Sequence, residues 1–387
     1  MGILANTVSI CQFRVAGDLP AEIFDWAGEQ LRRLAFRPID TTPVELSIGW
    51  VHVDDQQQSD FTAPAHFWRD HYLVFTLRCD QRRLPASLVK AYQQVAEHEY
   101  LAANPGLSRV PKQKREELKD AVRAALLGKT LPVPATFDAV WDTRTGILTF
   151  VSLSAKNMEM FETLFKKTFE GFRLIAIHPY ARAGQVADET LTPLLAKANQ
   201  ATSDSVLDLI RANQWLGWDF LYWLMYRTMH DAATYRINQP GHAELNDPFT
   251  AYLNDRLVLM STGEQGMQKI TVAGPQDHFC EVKNALQNNK RITESTIYLE
   301  KDEHTWRLTL KGELFHFGSF RAPSVKIEKD AATDQASERE AVFYERMYLL
   351  EQGLQIFDSL LATFLYERLG GQWQTRDDEI RQWLAAP

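Results

Sequence analysis

The stretch FDAVWDTRTGILTFVS, residues 137–152, predicts two strands around a turn that ends at Gly146. Its apolar and aromatic residues favour strands, and the polar run between them favours a turn. The residues that follow predict an amphipathic helix over 154–169, with Ser154 as its N-cap, and a strand over 172–179. A strand pair followed by a helix and a strand is typical of a mixed α+β unit.

The residues before this stretch predict a similar unit and a helical insert. The expected elements are strands over 8–16, 44–54 and 71–80, a helix over 19–36 with Pro20 at its first position, a helix over 84–102 and a further helix that begins near Pro111. The resulting order, βαββ–αα–ββαβ, indicates two sheet-plus-helix halves with a helical hairpin between them. We therefore predict an α+β fold.

The second half of the chain predicts another α+β region and a long C-terminal helix. The expected elements are a helix over 204–230, strands near 252–260 and 267–273, a helix near 277–289, three strands over 291–300, 305–312 and 314–322, a charged linker over 322–336 and a helix over 337–369. An apolar stripe along the last helix, which includes Phe343, Phe357 and Phe364, requires a surface to pack on.

Composition places the chain among ordinary folded proteins. It has 387 residues, 45% of them hydrophobic and 24% charged, which is long enough for two or three structural units. Its three separated cysteines fit a reducing compartment better than a disulfide framework or a zinc site. The start of the chain lacks the pattern of a secretory signal. The most apolar stretch, 214–230, is too short to span a membrane and carries Asp219 and Arg227, so we expect a buried helix.

A cluster of cations interrupts this acidic chain. Between Arg109 and Lys129 there are seven basic and three acidic residues, about +4, whereas the whole chain carries −8. Four of the cations fall in a narrow sector of the predicted helix: Lys112, Arg115, Lys119 and Arg123. An apolar stripe beside them would pack against the preceding helix: Leu118, Ala121, Val122, Ala125 and Leu126. Glu116 can pair with Lys112 or Lys119. Taken alone, such a face is most simply a solvated helix surface.

No motif predicts an active site. The segment LLGKT, 126–130, has an arginine where a phosphate-binding loop needs a glycine, and a helix C-cap at Gly128 explains its glycine. Asp277 and Glu281 only faintly resemble a nuclease metal site. The spacing of His66 and His71 fits neither a helix nor a strand face, and the pair Asp54–Asp55 fits a polar strand end. We therefore expect no enzymatic activity, no metal and no cofactor.

Several segments, in this order along the chain, resemble the bacterial recombination-associated RdgC family. They are FRPI with IGWVHVD (36–54), RLPASLVK (83–90), KREELKDAVRAALL (114–127), AVWDTRTGILTFVSLSAK (139–156), WDFLYWLMYR (218–227) and the closing EIRQWL (379–384). The form of the last two segments is that of longer family members.

The resemblance implies a ring-shaped homodimer that encloses double-stranded DNA without sequence preference. Such a protein restrains the strand-exchange recombinase by occupying its DNA, in the cytoplasm at the nucleoid. It also implies a central sheet region over 1–83 and 130–180 together with the C-terminal helix over 337–387, a helical base insert over 84–129 and a tip region over 181–336.

The resemblance assigns roles to individual residues as well. The expected DNA-binding residues are Lys112, Arg115, Lys119, Arg123, Lys129, Lys269, Lys290 and Arg291. Lys129 replaces a common arginine, and of the family's paired basic residues at the tip only Lys269 is basic here, so Lys290 and Arg291 would compensate. Leu131 stands where a phenylalanine closes a dimer interface. Two alternatives stay open: a metal-dependent DNA exonuclease, and a protein-binding regulator of recombination.

Overall fold

A computed structural model describes residues 2–42, 44–230, 233–263, 266–274, 279–326 and 334–385. The strands are β1 (Thr7–Ala16), β2 (Leu46–Val51), β3 (Trp68–Arg69), β4 (Tyr72–Gln81), β5 (Val133–Asp142), β6 (Ile147–Phe150), β7 (Arg173–Ala176), β8 (Thr234–Arg236), β9 (Pro248–Gly263), β10 (Gly266–Val272), β11 (Arg291–Lys301), β12 (His304–Lys311) and β13 (His316–Arg321). The helices are α1 (Ile23–Arg33), α2 (Ala86–Ala103), α3 (Lys112–Lys129), α4 (Ala155–Thr168), α5 (Pro179–Val186), α6 (Leu191–Ala198), α7 (Val206–Ala212), α8 (Trp215–His230), α9 (Cys280–Gln287), α10 (Gln335–Leu369) and α11 (Trp373–Ala385). A short 3₁₀ helix spans Pro64–His66.

These elements form two structural units, and the predicted α+β class is confirmed. The first unit comprises Met1–Ala16, Gly146–Met158 and Leu174–Pro387, and the second comprises Gly17–Thr145 and Glu159–Arg173. The predicted helical insert, residues 84–129, lies within the second unit as α2 and α3.

The second unit contains an antiparallel sheet in the order β5-β4-β2, with β3 also paired to β4. The core of this unit is aromatic. The indole of Trp50 on β2 donates a hydrogen bond of 2.7 Å to the hydroxyl of Thr168 in α4. The same ring lies edge-on to Phe75 and Phe161, at centroid distances of 5.0 and 5.9 Å. Such edge-on pairs favour one arrangement of the rings, so they fix α4 against the sheet.

A close backbone approach fixes the position of β2. A Cβ atom on Gly49 would lie 2.4 Å from the Cα of Phe36, so only glycine fits there. This approach lets the amide of Phe36 donate to the carbonyl of Trp50 at 2.9 Å, and the amide of Trp50 donate to the carbonyl of Leu34 at 3.0 Å. The carboxyl end of β2 is therefore anchored just before His52.

The first unit contains an antiparallel sheet in the order β10-β9-β11-β12-β13-β1-β6. Helices α8 and α10 pack on this sheet. The indole of Trp306 on β12 donates to the carbonyl of Leu349 in α10 at 2.8 Å. Most of the stripe predicted for the last helix is buried here: Phe343, Met347, Leu350, Leu354, Phe357, Leu361 and Phe364. The predicted buried helix is confirmed as α8, and no helix of the described residues is long and apolar enough to cross a membrane.

Several predicted helices differ from the observed ones. The helix expected over 19–36 begins only at Ile23, so Pro20 precedes the helix instead of occupying its first position. The helix expected over 204–230 is two helices, α7 and α8. Between them the side-chain Nδ2 of Asn213 donates to the backbone carbonyl of Leu209 and to Oδ1 of Asn199, at 3.0 and 2.6 Å. Helices α5 and α6 were not predicted.

Candidate nucleic-acid interface

Helix α3 carries most of the cations that the sequence assigns to DNA. It begins directly after Pro111 and is rich in Ala, Leu, Glu, Lys and Arg, which are strong helix formers. The helix ends at Lys129, and the amide of Thr130 donates to the carbonyl of Leu126 at 3.0 Å. The predicted C-cap at Gly128 is therefore wrong. Because the hydroxyl of Thr130 also bonds to that carbonyl, at 2.8 Å, the helix can continue past the glycine.

We call Lys112, Arg115, Lys119 and Arg123 the basic ridge. All four side chains are exposed along α3, as their spacing predicts. Three of them contact carboxylates of the same unit: Arg115 Nε lies 3.3 Å from Glu97 Oε1, Lys119 Nζ lies 3.6 Å from Glu116 Oε2, and Arg123 Nη2 lies 2.6 Å from Glu45 Oε2. The predicted pairing of Glu116 with Lys119 is confirmed. Glu97 on α2 and Glu45 before β2 were not predicted, because sequence spacing identifies only partners on the same helix.

Two cations of this helix, one of them in the basic ridge, lack such contacts. Within the described residues, neither Lys112 nor Lys129 has an ion pair. Lys114 lies away from the ridge on the same helix, and a hydrogen bond of 2.9 Å to the carboxylate of Glu117 raises the pKa of its ammonium group. The cations around α3 thus include both ion-paired and unpaired side chains.

The hairpin buries fewer apolar residues than predicted. Helices α2 and α3 pack against each other, but of the predicted stripe only Leu126 is buried, next to Leu127. Ala121 and Ala125 are exposed. None of the residues of α2 is buried, and its exposed residues include three apolar ones at helical spacing: Leu88, Tyr92 and Val95.

Exposed apolar residues also surround the end of α3, and we call Leu46, Leu131 and Val133 the apolar edge. Leu131 is 79% exposed, and Val133 follows at the start of β5. Leu46 and Val133 both pair with Gln81, from the two neighbours of β4. Residues that oppose each other across strands project from the same face of a sheet, so Leu46 and Val133 share a face.

The other predicted DNA-binding residues lie in the first unit, where two of them share one row of the sheet. Lys269 on β10 and Arg291 on β11 both pair with Met260 of β9, so they project from the same face. Both line a cavity of about 740 Å³. The guanidinium of Arg291 lies over the ring of Trp218, 4.2 Å from its centroid. Lys290 is half-buried at a neighbouring cavity of about 500 Å³.

The comparison with family models matches the part of the chain that contains the hairpin. The model described as "Putative exonuclease, RdgC" matches residues 9–208, more than half of the 387 residues. The chain belongs to the RdgC family. This membership indicates a DNA-binding role connected with recombination. The match includes the basic ridge, Lys129 and Leu131, and it ends before Lys269. A search of curated proteins finds no match.

The exonuclease in the family description corresponds to one of the two alternatives left open by the sequence. Asp277, the first residue of that candidate metal site, lies outside the described residues. Glu281 is exposed in the first turn of α9 of this RdgC protein. An exposed carboxylate on a short helix is also the ordinary arrangement for a solvated surface, so Glu281 alone supports no hydrolytic chemistry.

Proposed function

We propose that this RdgC protein binds double-stranded DNA without sequence preference, as a ring-like homodimer at the nucleoid. By covering the duplex it limits the access of the strand-exchange recombinase and so modulates homologous recombination. The observation that carries this proposal is the basic ridge, a line of four exposed cations within the residues that match the family.

The ion pairs of the ridge leave it able to bind phosphate. The side chains of Arg115, Lys119 and Arg123 are 48%, 50% and 52% exposed, so their pairs with carboxylates lie in water. Exposed ion pairs of this kind contribute only about 0–1 kcal/mol each. A duplex presents a dense row of phosphates, and counterion release on binding favours the exchange of these partners. Lys112 and Lys129 can contact phosphates without first giving up a carboxylate partner.

A second group of cations, in the first unit, also supports contacts with a DNA backbone. Lys269 and Arg291 project from one face of the sheet, and Lys290 is adjacent in sequence. Lysine and arginine side chains commonly pair with phosphate oxygens, which are the same at every base pair. Such contacts would add affinity and would not add sequence preference.

The proposed homodimer finds support in the apolar edge. Leu131 and its neighbours expose apolar surface, which a monomer leaves in water. Burying such side chains between two copies is favourable, and Leu131 is the residue that the family resemblance assigns to an interface. The exposed apolar residues of α2 provide more surface of the same kind.

The test replaces Lys112, Arg115, Lys119 and Arg123 together by Glu. We expect duplex binding in a gel-shift assay at low salt to be lost, because each change replaces attraction to phosphate by repulsion, and we expect the dimer to persist in analytical ultracentrifugation.

The matched control changes four other exposed cations to Glu: Lys156, Lys166, Lys167 and Arg173. Its net charge falls by the same amount as that of the ridge variant. If the basic ridge is the DNA interface, the control should keep most of the duplex binding. Binding by the ridge variant that equals that of the control would refute the proposal.

A further inference from the structure

Two histidines and an aspartate meet in the loop that follows β2 in the second unit. His52 Nε2 lies 3.0 Å from Asp60 Oδ1, and His66 Nδ1 lies 3.4 Å from the same oxygen. The two imidazole rings are 4.2 Å apart between centroids. All three potential ligand atoms lie within 4.8 Å of one another. Three side chains that are 8 and 6 residues apart in sequence thus converge on one point.

Well-aligned hydrogen bonds do not account for this arrangement. His52 is only 6% exposed, and within the described residues neither its Nε2 nor the Nδ1 of His66 makes a well-aligned hydrogen bond, although both atoms are buried and Asp60 Oδ1 lies 3.0 and 3.4 Å from them. A buried polar atom without a well-formed hydrogen bond costs about 1–3 kcal/mol, and a native structure usually provides a partner. An ion is one of the partners that accounts for such a group.

We propose that His52, Asp60 and His66 bind one divalent transition-metal ion of the Zn²⁺ class, through Nε2, Oδ1 and Nδ1 respectively. This inference goes beyond DNA binding and does not depend on it. Ligand atoms about 2.1 Å from a metal are about 3.0 Å apart at a right angle and about 3.4 Å apart at the tetrahedral angle. The two observed separations, 3.0 and 3.4 Å, match these values. Imidazole and carboxylate ligands together suit Zn²⁺, Co²⁺ and Fe²⁺ rather than Mg²⁺ or Ca²⁺.

Two further carboxylates lie near the three side chains. Asp54 and Asp55 are close enough to act on His52 electrostatically, and Asp54 is itself paired with the guanidinium of Arg69.

The site is open on one side. The side chain of Asp60 is 58% exposed, whereas that of His52 is only 8% exposed. Three protein ligands with a solvent-facing position leave room for a water molecule or an external ligand on the ion, as in metal sites that carry out chemistry. A bound ion would also fasten the loop that carries Asp60 and His66 to the anchored end of β2.

The test is a titration of the full-length, chelator-stripped protein with Co²⁺, followed by visible absorption. We expect one equivalent of Co²⁺ to produce d–d bands that Zn²⁺ removes, and Zn²⁺ to raise the melting temperature. The variants Asp60→Asn and His66→Ala should each weaken Co²⁺ binding at least tenfold. Both positions are partly or fully exposed, so the variants should fold, which circular dichroism checks.

His98→Ala removes an exposed histidine of α2 and serves as the matched control, which should bind like the wild type. The proposal fails if Co²⁺ does not bind at one equivalent, or if Asp60→Asn and His66→Ala bind it as tightly as the His98 control. Because these changes leave the basic ridge intact, duplex binding by the same variants reports on the proposed DNA interface separately.

Discussion

His316, the first residue of β13, is a histidine whose environment disfavours the charged form. Burial, with a smaller contribution from Lys311, lowers its pKa to about 4, from 6.5 in a solvated peptide. As the pH falls, the unfolded chain binds a proton at this residue before the folded chain does. Above about pH 6.5 the ring is neutral in both states, and His316 does not reduce the free energy of unfolding. As the pH falls from 6.5 towards 4, the free energy of unfolding decreases.

We predict that His316→Gln reduces the acid sensitivity of the fold. The wild type should lose about 3 kcal/mol of unfolding free energy between pH 6.5 and 4 through this residue alone. Urea unfolding at both pH values measures the loss in each protein. His98→Gln, at an exposed position of α2, should leave the loss at the wild-type value. If the loss is the same in all three proteins, His316 is not the responsible group.

Single residues also show where sequence analysis succeeds and where it ends. The exposure of Lys112, Arg115, Lys119 and Arg123 follows from helical spacing, because a helix fixes which side chains share a face. The contacts of Glu45 and His52 were not predicted, because helical spacing does not apply to them. Their contacts cross elements or lie in an irregular loop, where no period relates sequence separation to distance.

At the scale of elements, long regular segments are predictable and short ones are not. The strands β11, β12 and β13 lie close to their predicted bounds, because apolar and polar residues alternate along them. The helix α10 also lies close to its predicted bounds, because it is a long segment rich in apolar residues. The short helices α5 and α6 have only about two turns each, too few for a periodic signal. The break between α7 and α8 depends on the contact of Asn213 with Asn199, which spacing along one helix does not reveal.

The segment after α3 provides the prediction at this scale. Leu131→Asp should weaken the proposed homodimer by about 10- to 100-fold, because burial of a leucine side chain contributes about 1.5–3 kcal/mol. Sedimentation equilibrium over a concentration series measures the change. Leu207→Asp is the matched control, since Leu207 on α7 is 66% exposed. An unchanged dissociation constant in Leu131→Asp would remove the apolar edge from the interface.

For the whole molecule, the net charge and its distribution determine how the protein can bind DNA. The net charge of −8 opposes indiscriminate adsorption, so binding requires local groups of cations such as the basic ridge. If about six phosphates are neutralised, affinity should fall roughly 10³-fold between about 50 and 200 mM salt. Salt sensitivity alone does not distinguish a ring from an open surface, because both release counterions.

Topology of the DNA makes that distinction. We predict that complexes with a closed circular duplex outlast complexes with linear duplex of the same length after a jump to high salt. A closed ring whose phosphate contacts are weakened can slide off a free end, but it must open to leave a circle. Single-molecule fluorescence measures both lifetimes. Linear duplex with both ends blocked by bound streptavidin should behave like the circle, and Leu131→Asp should abolish the difference. Equal lifetimes on circular, blocked and free linear duplex would mean that the protein binds DNA on one side without enclosing it.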